Sequence, residues 1–361
     1  MVAGLLVIVA GCAAPPKPPP PAEEPELVWP LPPERPRIRY VGSLSSRDDV
    51  GAQSERPSLV DTLLGEERKD RAGDRLKKPY GVHADRNGRI FVADTGWGRL
   101  VVFDPANKTF AFWGEEGKGK LRKPAGVTSD SRGRVYVTDV LDNRIVVFDR
   151  DGGFLSAIGR KGELDAPVGI AVNEELGRIY VVDSKRHRIA VFGMDGTLVT
   201  AFGTRGDEPG QFNFPTNLAM DRDGKLYVMD TMNFRVQIFD PEGALITTFG
   251  RTGDAIGQFA RPKGIAVDSD GHVYVVDAAF NNFQIFEPEG RPLLFVGSMG
   301  PRRGQFWLPA GAYIDGNDRL YVADQYNHRI QIFQYLKDQG PDASLGAGPN
   351  AGQPAPASAP Q

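Results

Sequence analysis

Between residues 79 and 336, short apolar runs alternate with clusters of Gly, Pro, Asn and Asp. The clearest run recurs six times and always ends in aspartate. It reads IFVAD at 90–94, VYVTD at 135–139, IYVVD at 179–183, LYVMD at 226–230, VYVVD at 273–277 and LYVAD at 320–324. The closing residues Asp94, Asp139, Asp183, Asp230, Asp277 and Asp324 lie 45, 44, 47, 47 and 47 residues apart. Nine residues after each comes a phenylalanine: Phe103, Phe148, Phe192, Phe239, Phe286 and Phe333. Glycine follows the first five of these after eleven more residues, and a proline opens each unit: Pro79, Pro124, Pro167, Pro215, Pro262 and Pro309. Apolar runs of this length, rich in β-branched and aromatic residues and bounded by turn formers, predict strands. Each unit therefore reads as four: strand a after the Pro, b ending in Asp, c ending in Phe and d ending in Gly.

Six such units at a period in the forties predict an all-β, six-bladed β-propeller of four-stranded antiparallel blades. The sixth unit has no strand d of its own. Residues 38–42 (IRYVG) look like one, close to LFVG at 294–297, so residues 37–42 are expected to complete the last blade. Closure of this kind removes an open seam. The folded region is thus 37–336. Within it, residues 43–78 form an insert in which Leu59, Val60, Leu63 and Leu64 predict a short amphipathic helix after Pro57. The ends differ in character. Residues 12–36 form a Pro-rich tether, of which 15–36 read as polyproline II. Residues 337–361 are too poor in apolar groups to order.

The pattern resembles the NHL repeat, whose signature runs P-x-G-I-A-V-D and then Y-V-A-D-x-x-N-x-R-I-Q-V-F. Residues 321–333 (YVADQYNHRIQIF) follow it almost position for position, and the resemblance spans roughly 79–336.

The extreme N-terminus changes the picture of location. Residues 1–11 are apolar but too short to cross a bilayer as a helix. They end in Val9-Ala10-Gly11-Cys12, which resembles a bacterial lipobox. That resemblance implies removal of 1–11 as a signal peptide, lipidation of Cys12 and an extracytoplasmic, membrane-anchored protein. Ala13 after the cysteine leans toward the outer membrane. Cys12 is the chain's one cysteine, which excludes an internal disulfide or a cysteine metal site. Formal net charge is −3, so no basic field draws nucleic acid.

Repetition assigns most repeated side chains to structure. The six Asp residues are expected to accept backbone N–H bonds in the b–c turn. Arg99, Arg144, Arg188, Arg235 and Arg329, each five residues later, are expected to pair with them; the fifth unit has Asn282 there. Departures from the repeat are the candidates for function. On the face carrying the b–c and d–a loops these are Trp97, Arg186, His187, Met232, Phe234, Phe280, Asn281 and Tyr326, with Tyr80, Asn217 and Trp307 placed in d–a loops. Aromatic and Arg side chains of this kind anchor interfaces. The expectation is a monomeric, non-enzymatic binding or scaffold lipoprotein without cofactor or metal, presenting that rim to a protein, peptide or glycan. Similarity to lipoproteins encoded beside multihaem cytochromes implies a place near extracytoplasmic electron-transfer proteins. The alternative is a metal-dependent lyase or lactonase-like enzyme at the central channel, because relatives of the fold include such enzymes. It would need three convergent ligands, and of four histidines only His83 and His187 are placed near the channel rim.

Overall fold

The computed structural model describes residues 25–52 and 72–337 of the chain. Six antiparallel sheets form the molecule, one per sequence unit. Blade 1 comprises Pro79–Ala84, Ile90–Asp94, Arg99–Asp104 and Thr109–Trp113, paired in that order. Blades 2 to 5 repeat it, beginning at Pro124–Ser129, Pro167–Asn173, Asn217–Met220 and Pro262–Val267. Strand a is innermost in every blade, and its residues line a central channel. Strand b is buried along its whole length in every blade but for the leading Arg178 and Arg319. Strand d is the most exposed strand of blades 2 to 5 and leaves Phe154, Val199, Ile246 and Phe295 exposed. The burial gradient is that of a disc whose blades stack face to face.

The repeated phenylalanines make that stacking. Phe103, Phe192, Phe286 and Phe333 have no exposed surface, and Phe148 and Phe239 almost none. Each sits in an apolar cluster drawn from two neighbouring blades, as Phe239 does with Tyr180, Val191 and Leu226.

Blade 6 closes the ring as its missing strand implied. Pro309–Ile314, Arg319–Asp324 and Arg329–Tyr335 are completed by Ile38–Leu44, with Ile38 opposite Tyr335 and Leu44 opposite Ile330. The strand runs two residues beyond the expected 42. The spacer expectation for residues up to 36 needs correction, because Val28–Trp29 adds a fifth, outermost strand against Arg39 and Ile38. The reason is apolar: Val28 is buried, and Trp29 packs its ring 5.8 Å from that of Phe333.

The described flanks of the insert clamp the seam between blades 6 and 1. Asp49 accepts the backbone N–H groups of Ser45 and Ser46 at 2.6 and 2.8 Å, Arg47 pairs with Asp74 at 3.2 Å, and Val50, Ala52 and Leu76 are buried beside Val82 and Phe110. The helix expected around Leu59–Leu64, the signal, Cys12 and the 338–361 tail lie outside the described residues.

Candidate functional site

Strands b and d end, and strand a begins, on one face of the disc, here called the top. Short braces build it. The six aspartates are fully buried, but they tie the b–c turn to the d–a loop beside it. Asp94 accepts from the backbone N–H of Lys77 and Lys78 at 2.7 and 2.9 Å; Asp139 from Arg122 and Lys123; Asp277 from Ala260 and Arg261; Asp324 from Trp307 at 2.8 Å. The expected Asp–Arg pairs form in blades 3, 4 and 6, where Arg188, Arg235 and Arg329 reach Asp183, Asp230 and Asp324 at 2.9, 2.9 and 2.8 Å. They do not form in blades 1 and 2. Arg99 instead meets Glu115 at 2.8 Å and lies 3.4 Å over the Phe112 ring, and Arg144 donates to the carbonyls of Lys118 and Lys120. The difference follows the turn: only blades 3, 4 and 6 have a 3₁₀ turn between strands b and c, at Ser184–Arg186, Thr231–Asn233 and Gln325–Asn327.

A second set of braces removes His187 and Asn281 from the candidate surface and adds His328 to the framework. His187 Nδ1 accepts the Phe214 N–H, the Asn281 side-chain oxygen accepts that of Leu308, and His328 Nδ1 donates to the Lys77 carbonyl. These side chains clip blades 3, 5 and 6 to the d–a loop of the next blade. All three hold positive φ, as do Asn143 and Phe234 at the equivalent places.

The remaining candidates divide by position. Trp97, Met232, Tyr326 and Trp307 are exposed on top, Phe280 and Arg186 partly so. Trp307 and Tyr326 stack with centroids 5.7 Å apart; Lys78 Nζ lies 5.5 Å from the Tyr326 ring, and Lys77 Nζ 4.4 Å from that of Trp97. Trp97 also donates from Nε1 to the Arg75 carbonyl, so it covers the insert's return as well as facing solvent. Arg186 stands 3.9 Å from Asp183. Tyr80 and Asn217 belong to strand a, contrary to their expected place in loops, and line the channel.

The channel encloses about 300 Å³. Its wall is built mostly of Gly, Ala, Val and Ile, and polar atoms enter it from Tyr80, His83, Ser129, Asn217 and Tyr313 and from charged residues such as Asp85 and Glu174. His83 Nε2 meets Ser129 Oγ at 2.8 Å, and its ring lies 4.4 Å from that of Tyr313. Burial lowers the His83 pKa to about 4, against a small opposing pull from Asp85, so the imidazole is neutral. Burial raises the Tyr80 phenol to about 12. At the top mouth Lys263 projects to 6.0 Å from the Tyr80 ring, and burial followed by repulsion from Arg261 and Lys78 lowers its ammonium to about 8. Sequence reasoning missed Lys77, Lys78, Lys123, Arg261 and Lys263. All flank the repeat prolines, so aligning the units on Pro would have exposed them. The four histidines occupy four separate places, and among the described residues no three His, Cys, Asp or Glu side chains stand where they could hold a metal ion.

These features define a propeller with a loop-built top face over a narrow channel. Five segments, 121–148, 164–192, 212–239, 259–287 and 306–333, match the family model of the NHL repeat, and the protein is an NHL-repeat propeller of six blades. No curated protein sequence matches the chain. Among solved structures, a streptogramin B lyase is similar over 72% of this chain and 94% of its own, at 16% identity and a TM-score of 0.55. A gluconolactonase from Xanthomonas campestris is similar over 72% and 87%, at 16% identity and 0.57. An auxiliary nutrient binding protein from Bacteroides ovatus is similar over 73% and 70%, at 15% identity and 0.57. At such identities the likeness is one of fold.

Proposed function

We propose that the protein is a non-enzymatic binding or scaffold protein, anchored through Cys12 at the cell envelope, whose top face receives a partner. The observation that carries this reading is the group of exposed aromatic and sulfur side chains there: Trp97, Met232, Trp307 and Tyr326, held on braced loops. Large exposed aromatics on a rigid support bury much area at little entropic cost, which suits an interface. The channel beneath is narrow, and a metal-dependent lyase or lactonase reading would have to rest on His83 as its single channel histidine. A place beside extracytoplasmic electron-transfer proteins stays part of the proposal, with the protein as a docking partner.

The test is in vivo crosslinking of the full chain in its native envelope, wild type against W97A/W307A/Y326A. A specific crosslinked partner should be lost in the variant while its melting curve is unchanged; the same adducts in both would reject the top face. Replacing Cys12→Ser should move the protein from the membrane to the soluble fraction.

A further inference from the structure

At the top mouth of the channel stand cations whose side chains no carboxylate pairs. Lys263 is half-buried beside Tyr80, which lines the mouth, Lys78 and Arg261 are close enough to act on its charge, and Lys77 and Lys123 are exposed on the neighbouring d–a loops. Among the described residues none of these five forms an ion pair, whereas their neighbours Arg122 and Lys185 are neutralised by Asp142 and Asp165. Lys263 is the centre of the group. Its backbone opens strand a of blade 5, its carbonyl accepts from Thr216 of blade 4, and its ammonium leans over Tyr80 of blade 1. Burial, Arg261 and Lys78 all act against its charge, and no carboxylate offsets them. A half-buried cation without a counter-ion is costly in the free protein and is relieved by an anion.

The opposite face carries charges of both signs. Its a–b turns hold Asp85, Asp130, Asp221, Asp268 and Asp315, each accepting backbone N–H groups of its own turn, and Arg89 and Arg134 pair with Asp85 and Asp130. Unpaired cations grouped at one opening steer an acidic ligand to it.

We propose that the top channel mouth binds carboxylates of an acidic polypeptide segment, seated on Lys263, Arg261 and Lys78 with Tyr80 as a neutral hydroxyl donor. The inference rests on the top face being the docking surface and names the chemistry that it selects. A polypeptide fits better than a phosphate polymer on two grounds. The unpaired cations gather around one opening instead of along a track, and the chain as a whole is acidic, at −3. Trp97, Trp307 and Tyr326 beside the mouth offer apolar area for the residues flanking the acidic group.

The probe is a fluorescein-labelled poly-glutamate peptide titrated with the full chain, read by fluorescence anisotropy. Saturable binding that weakens as salt rises is expected. K263M/R261Q should reduce it on the order of tenfold, while K108Q/R222Q, the same charge change on the opposite face, should leave it unaltered. If K263M/R261Q alters the melting curve, K78Q supplies the comparison with an exposed side chain. Absent binding, or equal loss in both double variants, would overturn the inference. Tighter binding of a labelled single-stranded oligonucleotide than of poly-glutamate would overturn it in favour of phosphate. Failure here alongside loss of the crosslinked partner in W97A/W307A/Y326A would sink the carboxylate chemistry alone; retention of the partner in that variant would sink the docking surface itself.

Discussion

Asp324 accepts four hydrogen bonds while fully buried: from the Trp307 N–H, Asn327 Nδ2, Arg329 Nε and Gln331 Nε2. Burial raises its pKa, and the Trp307, Asn327 and Arg329 donors oppose the rise. Asp324→Ala would strand them together and should cost about 3–5 kcal/mol in chemical denaturation. Arg329→Ala should cost less, because three donors to the carboxylate survive. The pairing of Asp with Arg at a spacing of five was legible in the sequence. What hid its failure at Arg99 and Arg144 is turn geometry, which depends on loop residues outside the repeat. His83 makes a second residue-scale test. With a pKa of about 4 in the folded chain and 6.5 unfolded, it binds fewer protons when folded. Stability therefore rises with pH between those values and is lost as pH falls through the window, by up to about 3 kcal/mol. Urea melts at pH 7 and pH 4.5 should show that loss, and H83F should shrink it. An undiminished pH slope in H83F would place the titration elsewhere.

At the scale of elements, closure rests on one strand. Ile38 has no exposed surface and packs with Val296, Phe306 and Phe333, so it joins blade 6 to blade 5 as well as to its own sheet. The truncated sixth unit and the stray IRYVG run made this legible, because a repeat counts its own missing part. The fifth strand was not legible: two residues between prolines carry no periodicity, and burial of Val28 and the packing of Trp29 on Phe333 fix them. The two segments should differ in worth. Deleting residues 37–42 should lower the melting temperature sharply, since it exposes the edge of Arg329–Tyr335 and the blade 5 interface together. Truncation through residue 36 removes the buried Val28, one half-exposed indole and a two-residue pairing, and should lower it by only a few degrees. Equal effects from both truncations would mean that the ring is not sealed by Ile38–Leu44.

For the whole molecule, the narrowest packing is where the inner strands meet around the channel. The second residue after the repeat proline is Gly in five blades: Gly81, Gly126, Gly169, Gly264 and Gly311. A methyl group on Gly264 would lie 2.3 Å from the Ala310 carbonyl oxygen, and one on Gly311 2.4 Å from that of Tyr80. Those contacts are backbone against backbone, so no side chain can swing away, and the ring must dilate or tilt a blade. Blade 4 carries Asn217 instead, and its strand a is the shortest of the six, at four residues. The periodic strands could not reveal this throat, because a glycine between apolar residues reads only as a weak spot in a strand. It matters for function because the blade tilt set there also sets the spacing of Lys78, Arg261 and Lys263 above it. Gly264→Ala should thus cost about 1–3 kcal/mol by overpacking. It should also weaken poly-glutamate binding, although it removes no charge. Gly316→Ala, in an open turn with nothing within 4 Å of the added methyl, should change neither. A Gly264→Ala protein with wild-type stability and affinity would mean that the inner strands can slide past one another, and that the top face is not held by the ring beneath it.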